Sequence, residues 1–237
     1  MQFDLNAARL RLAACAAAAL ATAQANAARP LVTDDARIVD PHACQLETWS
    51  KVNHGSTEYW ALPACNMAGG VELALGGART REGGRSTTSD LVVQAKFLLQ
   101  PLETNGWGIG LAVGAASHPH AGTGQRDWYV NVPASLSIND DAVALHANGG
   151  WLRDGASGAG RLTWGLGAEA RCARRSWLIA ETFGQDRGAA SYQLGLRHWL
   201  VPERVQLDAT FGNRQGGGSG ARWLSLGLRL LAPPFLR

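Results

Sequence analysis

From Cys44 onward, apolar residues recur at every second position in runs of about ten to twelve residues. This period marks a β-strand with one apolar face and excludes an amphipathic helix. Over 107–115, Trp107, Ile109, Leu111 and Val113 share one face, and the other carries only Gly and Ala. Over 223–230, Leu224, Leu226, Leu228 and Leu230 oppose Ser225, Gly227 and Arg229. Twelve such runs are predicted, at 44–53, 57–65, 70–79, 89–100, 106–117, 126–138, 141–152, 160–171, 174–184, 190–200, 203–212 and 222–232. Soluble strands are usually about five or six residues long. A tilted strand that crosses a bilayer needs about nine to eleven. Run length therefore predicts strands that span a membrane.

The links between runs alternate. Asn139-Asp140 and Pro202 mark short links, whereas 80–88, 118–125, 153–159, 185–189 and 213–221 are longer and rich in Gly and polar residues. Short turns on one side, long loops on the other and an even strand number predict an all-β fold: a single closed antiparallel transmembrane β-barrel of about 12 strands. Only a closed sheet pairs every backbone group in hydrocarbon. The termini and short turns are expected in the periplasm. A soluble periplasmic barrel or sandwich is the rival architecture, but its polar face would need more charge than the Gly, Ala and Ser found here.

Composition narrows the field. Lys+Arg 22 against Asp+Glu 19 gives a net charge of +3, too balanced to imply nucleic-acid binding. After the first thirty residues no apolar run approaches the ~18 residues of a membrane helix. Residues 1–27 carry Arg9 and Arg11, an apolar stretch over 12–23 and the small-x-small site Ala25-Asn26-Ala27, which reads as a cleaved signal peptide. Leu12-Ala13-Ala14-Cys15 also fits a lipoprotein signal, except that its apolar stretch follows the cysteine. The expected organisation is signal peptide 1–27, periplasmic N-terminal segment 28–43, barrel 44–232 and C-terminal tail 233–237.

The strand register assigns faces. Glu47, Glu72, Lys96, Arg161, Glu169, Arg197, Asp208 and Arg229 are predicted to face the lumen, with Lys51, Glu58, Asp90, Asp127, His146 and Arg171. They form either a salt-bridged filling or a passage whose charges select solutes. Trp107, Trp128 and Trp151 fall at strand ends on the outward face, where an interfacial aromatic girdle sits; Trp199 and Trp223 fall inward. Pro133 interrupts one run and either lies at a bulge or weakens its strand. The face bearing Arg175, Trp177, Ile179, Glu181 and Phe183 mixes apolar and charged residues and leaves its strand's orientation open.

Cys44 and Cys65, like Trp49 and Trp60, are equidistant from the link at His54-Gly55. A hairpin there sets the cysteines opposite each other and predicts a disulfide, leaving Cys172 free. His118 and His120 could hold a metal, but no Cys, Asp or Glu lies near them in sequence, so no metal and no cofactor is expected. Asp34, Asp35 and Asp40 lack the spacing of a calcium loop. Neither His146 nor His198 has a serine at a two-residue offset, which argues against a lipid-modifying enzyme.

Several segments carry a family resemblance. They are Arg29-Pro30-Leu31-Val32-Thr33-Asp34-Asp35-Ala36 with Cys44-Gln45-Leu46-Glu47, Val71-Glu72-Leu73-Ala74-Leu75-Gly76-Gly77, Leu178-Ile179-Ala180-Glu181-Thr182-Phe183-Gly184 and Trp223-Leu224-Ser225-Leu226-Gly227-Leu228. They resemble bacterial outer-membrane barrels catalogued as a meta-pathway phenol-degradation, transporter-like family. The resemblance implies an outer-membrane barrel that passes small organic solutes. Its implied partners are membrane lipids, a small solute and the barrel-assembly machinery. It transfers no catalytic residue. Such barrels usually end on an aromatic residue, whereas 232–237 extend beyond the last run. A structural or interaction barrel with a filled lumen is the alternative reading.

Overall fold

A computed structural model describes residues 31–119 and 126–235; the predicted signal peptide, His120 and the last two residues of the tail lie outside the described residues. Twelve strands follow in chain order: β1 (Cys44–Asn53), β2 (Ser56–Asn66), β3 (Val71–Glu82), β4 (Arg85–Gln100), β5 (Trp107–Ser117), β6 (Arg126–Ile138), β7 (Val143–Arg153), β8 (Gly160–Ala173), β9 (Ser176–Gln185), β10 (Ser191–Val201), β11 (Val205–Arg214) and β12 (Trp223–Leu231). Each pairs antiparallel with its sequence neighbours, and β1 pairs with β12 to close the barrel. Closure leaves no edge to satisfy, as a sheet in lipid requires.

The apolar face is outside. Leu75 and Leu99 are each 68% exposed and Trp107 60%, while charged residues on the opposite face are buried. Side chains this apolar, ringing a closed sheet, are stable only against hydrocarbon. The barrel is therefore a transmembrane one. Trp128 and Trp151 share the outward face, and Trp199 is buried inward.

One local expectation is corrected, and two that the sequence left open are settled. The loop predicted over 80–88 is almost absent: β3 and β4 run on to a two-residue turn at Gly83 and Gly84, both at positive φ. Such a turn matches the twist of a hairpin and needs residues without a Cβ. The polar residues that mimicked a loop are the ends of two long strands. Pro133 sits at no bulge; the β5–β6 ladder keeps one register on either side and omits the pairs opposite Pro133 and Val132. Gly110 on β5 leaves room for the proline ring. The mixed face of β9 points inward, where Trp177, Ile179 and Glu181 are buried.

The largest correction concerns the N-terminal segment, expected to be periplasmic over 28–43. Residues 31–39 instead run inside the barrel, where their backbone donors meet inward side chains from four strands. The C-terminal tail packs beside the exit of this segment, with Phe235 N–H donating to the His42 carbonyl at 2.9 Å.

Candidate functional site: the lumen

A chain without a strand partner must satisfy its backbone through side chains. Glu181 on β9 accepts from the N–H groups of Val32 and Thr33, each at 2.7 Å. Asn148 on β7 brackets Asp34, accepting from its N–H and donating to its carbonyl, both at 2.7 Å. Ser135 Oγ on β6 accepts from Ala36 N–H at 2.9 Å. Glu72 on β3 accepts from Val39 N–H at 3.0 Å. Lys96 on β4 reaches Asp34 at 2.6 Å and Asp35 at 3.1 Å. The segment thus crosses the lumen from β9 to β3 before entering β1.

Below and around it, toward the short turns, the interior is filled. Glu169 pairs with Arg197 at 2.6 Å, and the Arg197 guanidinium lies 5.0 Å from the centre of the Trp177 ring. Arg229 donates to Gln45 at 2.8 Å and stands 3.6 Å from Glu47. Arg197 and Arg229 are each only 2% exposed. Ions so deeply buried persist only when paired and hydrogen-bonded. Of the residues predicted to face the lumen, Glu47, Glu72, Lys96, Glu169, Arg197, Asp208 and Arg229 are buried on the inner face. Arg161 is inward in register but half-buried near the start of β8, apart from this cluster.

A serine meets His146 after all, from the neighbouring strand. Ser135 Oγ lies 2.8 Å from His146 Nδ1, and His146 Nε2 lies 3.3 Å from Glu169 Oε1. With Ser135 accepting from Ala36, its own proton goes to Nδ1, and Nε2–H faces the glutamate. The set resembles a nucleophile, base and acid in membership. It is sealed beneath the segment and does not line the main cavity, so in this arrangement it anchors 31–39 to the wall. Ser176 and His198 pair similarly, at 2.8 Å.

Toward the long loops the lumen opens. A cavity of about 970 Å³ descends from Lys51, Arg187 and Arg214 at the mouth onto residues of 31–38, and on the side of β1 to β3 and β12 it reaches past them to Gln45, Glu47, Ala64, Glu72 and Arg229. Among the described residues, none from the five short turns lines it. Its wall carries aromatic rings from several strands. Trp49 and Trp60 stack with centroids 5.1 Å apart and planes within 3°. Trp223 and Phe183 approach at 6.5 Å, and Lys51 Nζ lies 5.2 Å from the Trp223 ring centre. The Trp223 ring lies over Gly212, where a Cβ would collide with it, and Tyr129 lies over Gly114 in the same way.

At the loop end, His118 contacts Asp90 at 2.8 Å and Asp127 at 3.2 Å, so both of its ring nitrogens are engaged. Partial burial lowers its pKa, but the two carboxylates outweigh burial and raise it overall. Asp127 also accepts from Gly155 N–H in the next loop, at 2.8 Å. Asp154, in that loop, is held below the usual carboxylate range by hydrogen bonds from Ser157. At the opposite end Cys44 and Cys65 are disulfide-bonded with their Cα atoms 4.1 Å apart. Cys172 is free and exposed.

A family model described as "Uncharacterised conserved protein UCP029691" matches residues 13–231. No curated protein matches the chain. Among solved structures, the KdgM porin is similar over 78% of this chain and 98% of its own, with 9% identity and a TM-score of 0.59. The COG4313 outer membrane channel from Pseudomonas putida F1 is similar over 85% of this chain and 100% of its own, with 13% identity and a TM-score of 0.57. The outer membrane protein Omp33 of Acinetobacter baumannii is similar over 79% and 96%, with 8% identity and a TM-score of 0.51. At these identities the likeness is one of fold. The family description carries no phenol-degradation name; what the solved neighbours share with that resemblance is the outer-membrane type of barrel.

Proposed function

This chain belongs to that family of uncharacterised conserved proteins, and we propose that it is an outer-membrane channel or transporter for small solutes, gated by its own residues 31–39. One observation carries the reading: an aromatic-lined cavity of about 970 Å³ that opens at the long loops and ends on a segment held by side chains instead of a strand ladder. Side-chain grips can release one at a time, whereas a sheet must break as a unit. In this reading the signal peptide 1–27 exports the chain, the assembly machinery inserts it, and the short turns face the periplasm. The outward apolar belt meets membrane lipids, with Trp107, Trp128 and Trp151 at its borders. The porin and channel neighbours support the reading through their shared architecture. Small aromatic solutes, implied by the phenol-degradation resemblance, are one class to try.

The filled turn-end half favours a second reading, a structural barrel that conducts nothing. The sealed Ser135–His146–Glu169 set is read here as an anchor and not as a catalyst. Planar-bilayer recording of the folded protein separates channel from filled barrel. Small, flickering conductance is expected from the intact chain, and a several-fold larger, steadier one when 31–39 are deleted. A silent deletion variant that still shifts on boiling in gels would leave the structural barrel as the answer.

A further inference from the structure

The charges that line the cavity are not equally occupied. Every carboxylate on its wall and floor has an internal partner. Asp34 and Asp35 hold Lys96, Glu47 faces Arg229, and Glu72 accepts from Val39 and Gln45. Glu58 accepts from Asn53 and Trp60. Three guanidiniums differ: among the described residues no hydrogen bond or ion pair engages the side chains of Arg37 on the floor or Arg187 and Arg214 at the mouth. The spare charge of the cavity is therefore cationic. Guanidinium matches a carboxylate through two parallel hydrogen bonds.

The same wall offers a ring face. Gly212 lets the Trp223 indole lie flat over β11. Arg214 is the next residue on that face of β11, about 7 Å farther along at strand spacing. A flat platform with a guanidinium one step away suits a ring bearing a carboxylate. Lys51, whose ammonium lies over the Trp223 ring and 3.7 Å from Glu58, sits on a flexible stem, and a ring stacked on Trp223 takes its place there. Lys51 also adds a second cation beside the platform.

We propose that the open half of the lumen binds a small ring-bearing carboxylate, its ring stacked on Trp223 and its carboxylate on Arg214, with Arg187 and Arg37 continuing the anion path to mouth and floor. The proposal rests on the cavity being the solute's route, but it concerns equilibrium binding and needs no conduction. Calorimetric titration of the folded protein in detergent with benzoate, against benzyl alcohol, tests it. Benzoate is expected to bind at least tenfold more tightly than the neutral analogue. Arg214→Gln and Trp223→Leu should each weaken benzoate about tenfold, with the heat-shift of the folded barrel unchanged as the control for folding. Galacturonate against galactose repeats the comparison with a sugar ring; preference for either acid supports the class, and the tighter acid says which ring the platform prefers. Equal affinity for acid and neutral partner, no binding by either acid, or unaltered affinity in both variants overturns the proposal. Conductance that persists without acid binding overturns it alone and leaves the channel reading standing.

Discussion

The two halves of the lumen are built from the same twelve strands, yet they solve opposite problems. Toward the turn end, Arg197, Arg229 and Lys96 are buried, and each is matched to carboxylates or amides, the last two on the lower wall of the cavity. In the loop-end half, Arg187 and Arg214 stand at the mouth, and among the described residues neither guanidinium has an internal partner. A charge without a partner is tolerable only where water reaches it. The charge inventory therefore distinguishes the dry half from the wet one independently of the cavity's shape. Residues 31–39 divide them except beside β1 to β3 and β12, where the cavity reaches deeper, and the difference teaches that barrel architecture fixes the wall while a short irregular segment decides what the wall encloses.

That boundary is easiest to break at Lys96. Among the described residues its ammonium is the sole cation bridging Asp34 and Asp35, and removing one partner of a buried pair typically costs about 3–5 kcal/mol. Lys96→Met should unseat the segment and convert the dry half into a hydrated one. Two results are expected: higher single-channel conductance and rapid hydrogen exchange at the amides of 32–39. Retained protection in the variant would mean that Glu181, Asn148 and Glu72 hold the segment without the lysine.

The disulfide probes the dry half from its outer end. Cys44–Cys65 closes a loop with a sequence separation of 21, and the chain-entropy argument assigns such a loop about 3 kcal/mol. A C44S/C65S double variant should lower the thermal midpoint of the barrel. Affinity in the open half should not change, because the bond lies at the opposite end of β1 from Lys51. A loss of solute affinity in the double variant would show that the two halves are mechanically coupled.

How much of this was legible in the sequence follows from what lipid demands. An outward apolar face imposes a period of two on every strand, so strand positions and facing could be read from residues such as Leu224 to Leu230. Even the polar ends of β3 and β4 misled only because they rise above the apolar belt. Residues 31–39 obey no such demand. Their partners lie up to 149 positions away, and a segment satisfied by scattered side chains has no period to detect. The Ser135–His146 contact was within reach. Those residues are equidistant from a turn of four residues, 139–142, and hairpin reasoning finds them once the link read as Asn139-Asp140 is lengthened by two. A search along single strands missed them because cross-strand neighbours carry the contact.

The rim of the open half sharpens the comparison with the smallest effect. His118 joins Asp90 on β4 to Asp127 on β6, and Asp127 in turn holds the following loop through Gly155. Its folded pKa is raised, since the two carboxylates outweigh partial burial. A raised pKa means that the folded state binds the proton more tightly than the unfolded chain. The stabilisation is therefore complete below the unfolded value of about 6.5 and is lost as pH rises through the higher folded value. The pair is partly exposed, and screening keeps the contribution under about 1 kcal/mol. His118→Gln should accordingly lower the thermal midpoint slightly below about pH 6 and leave it unchanged well above the folded pKa, where the wild-type ring is already neutral. A deficit of equal size at both extremes would assign the contact to packing instead of charge. In that case the mouth of the wet half, like its dry counterpart, would be held by shape.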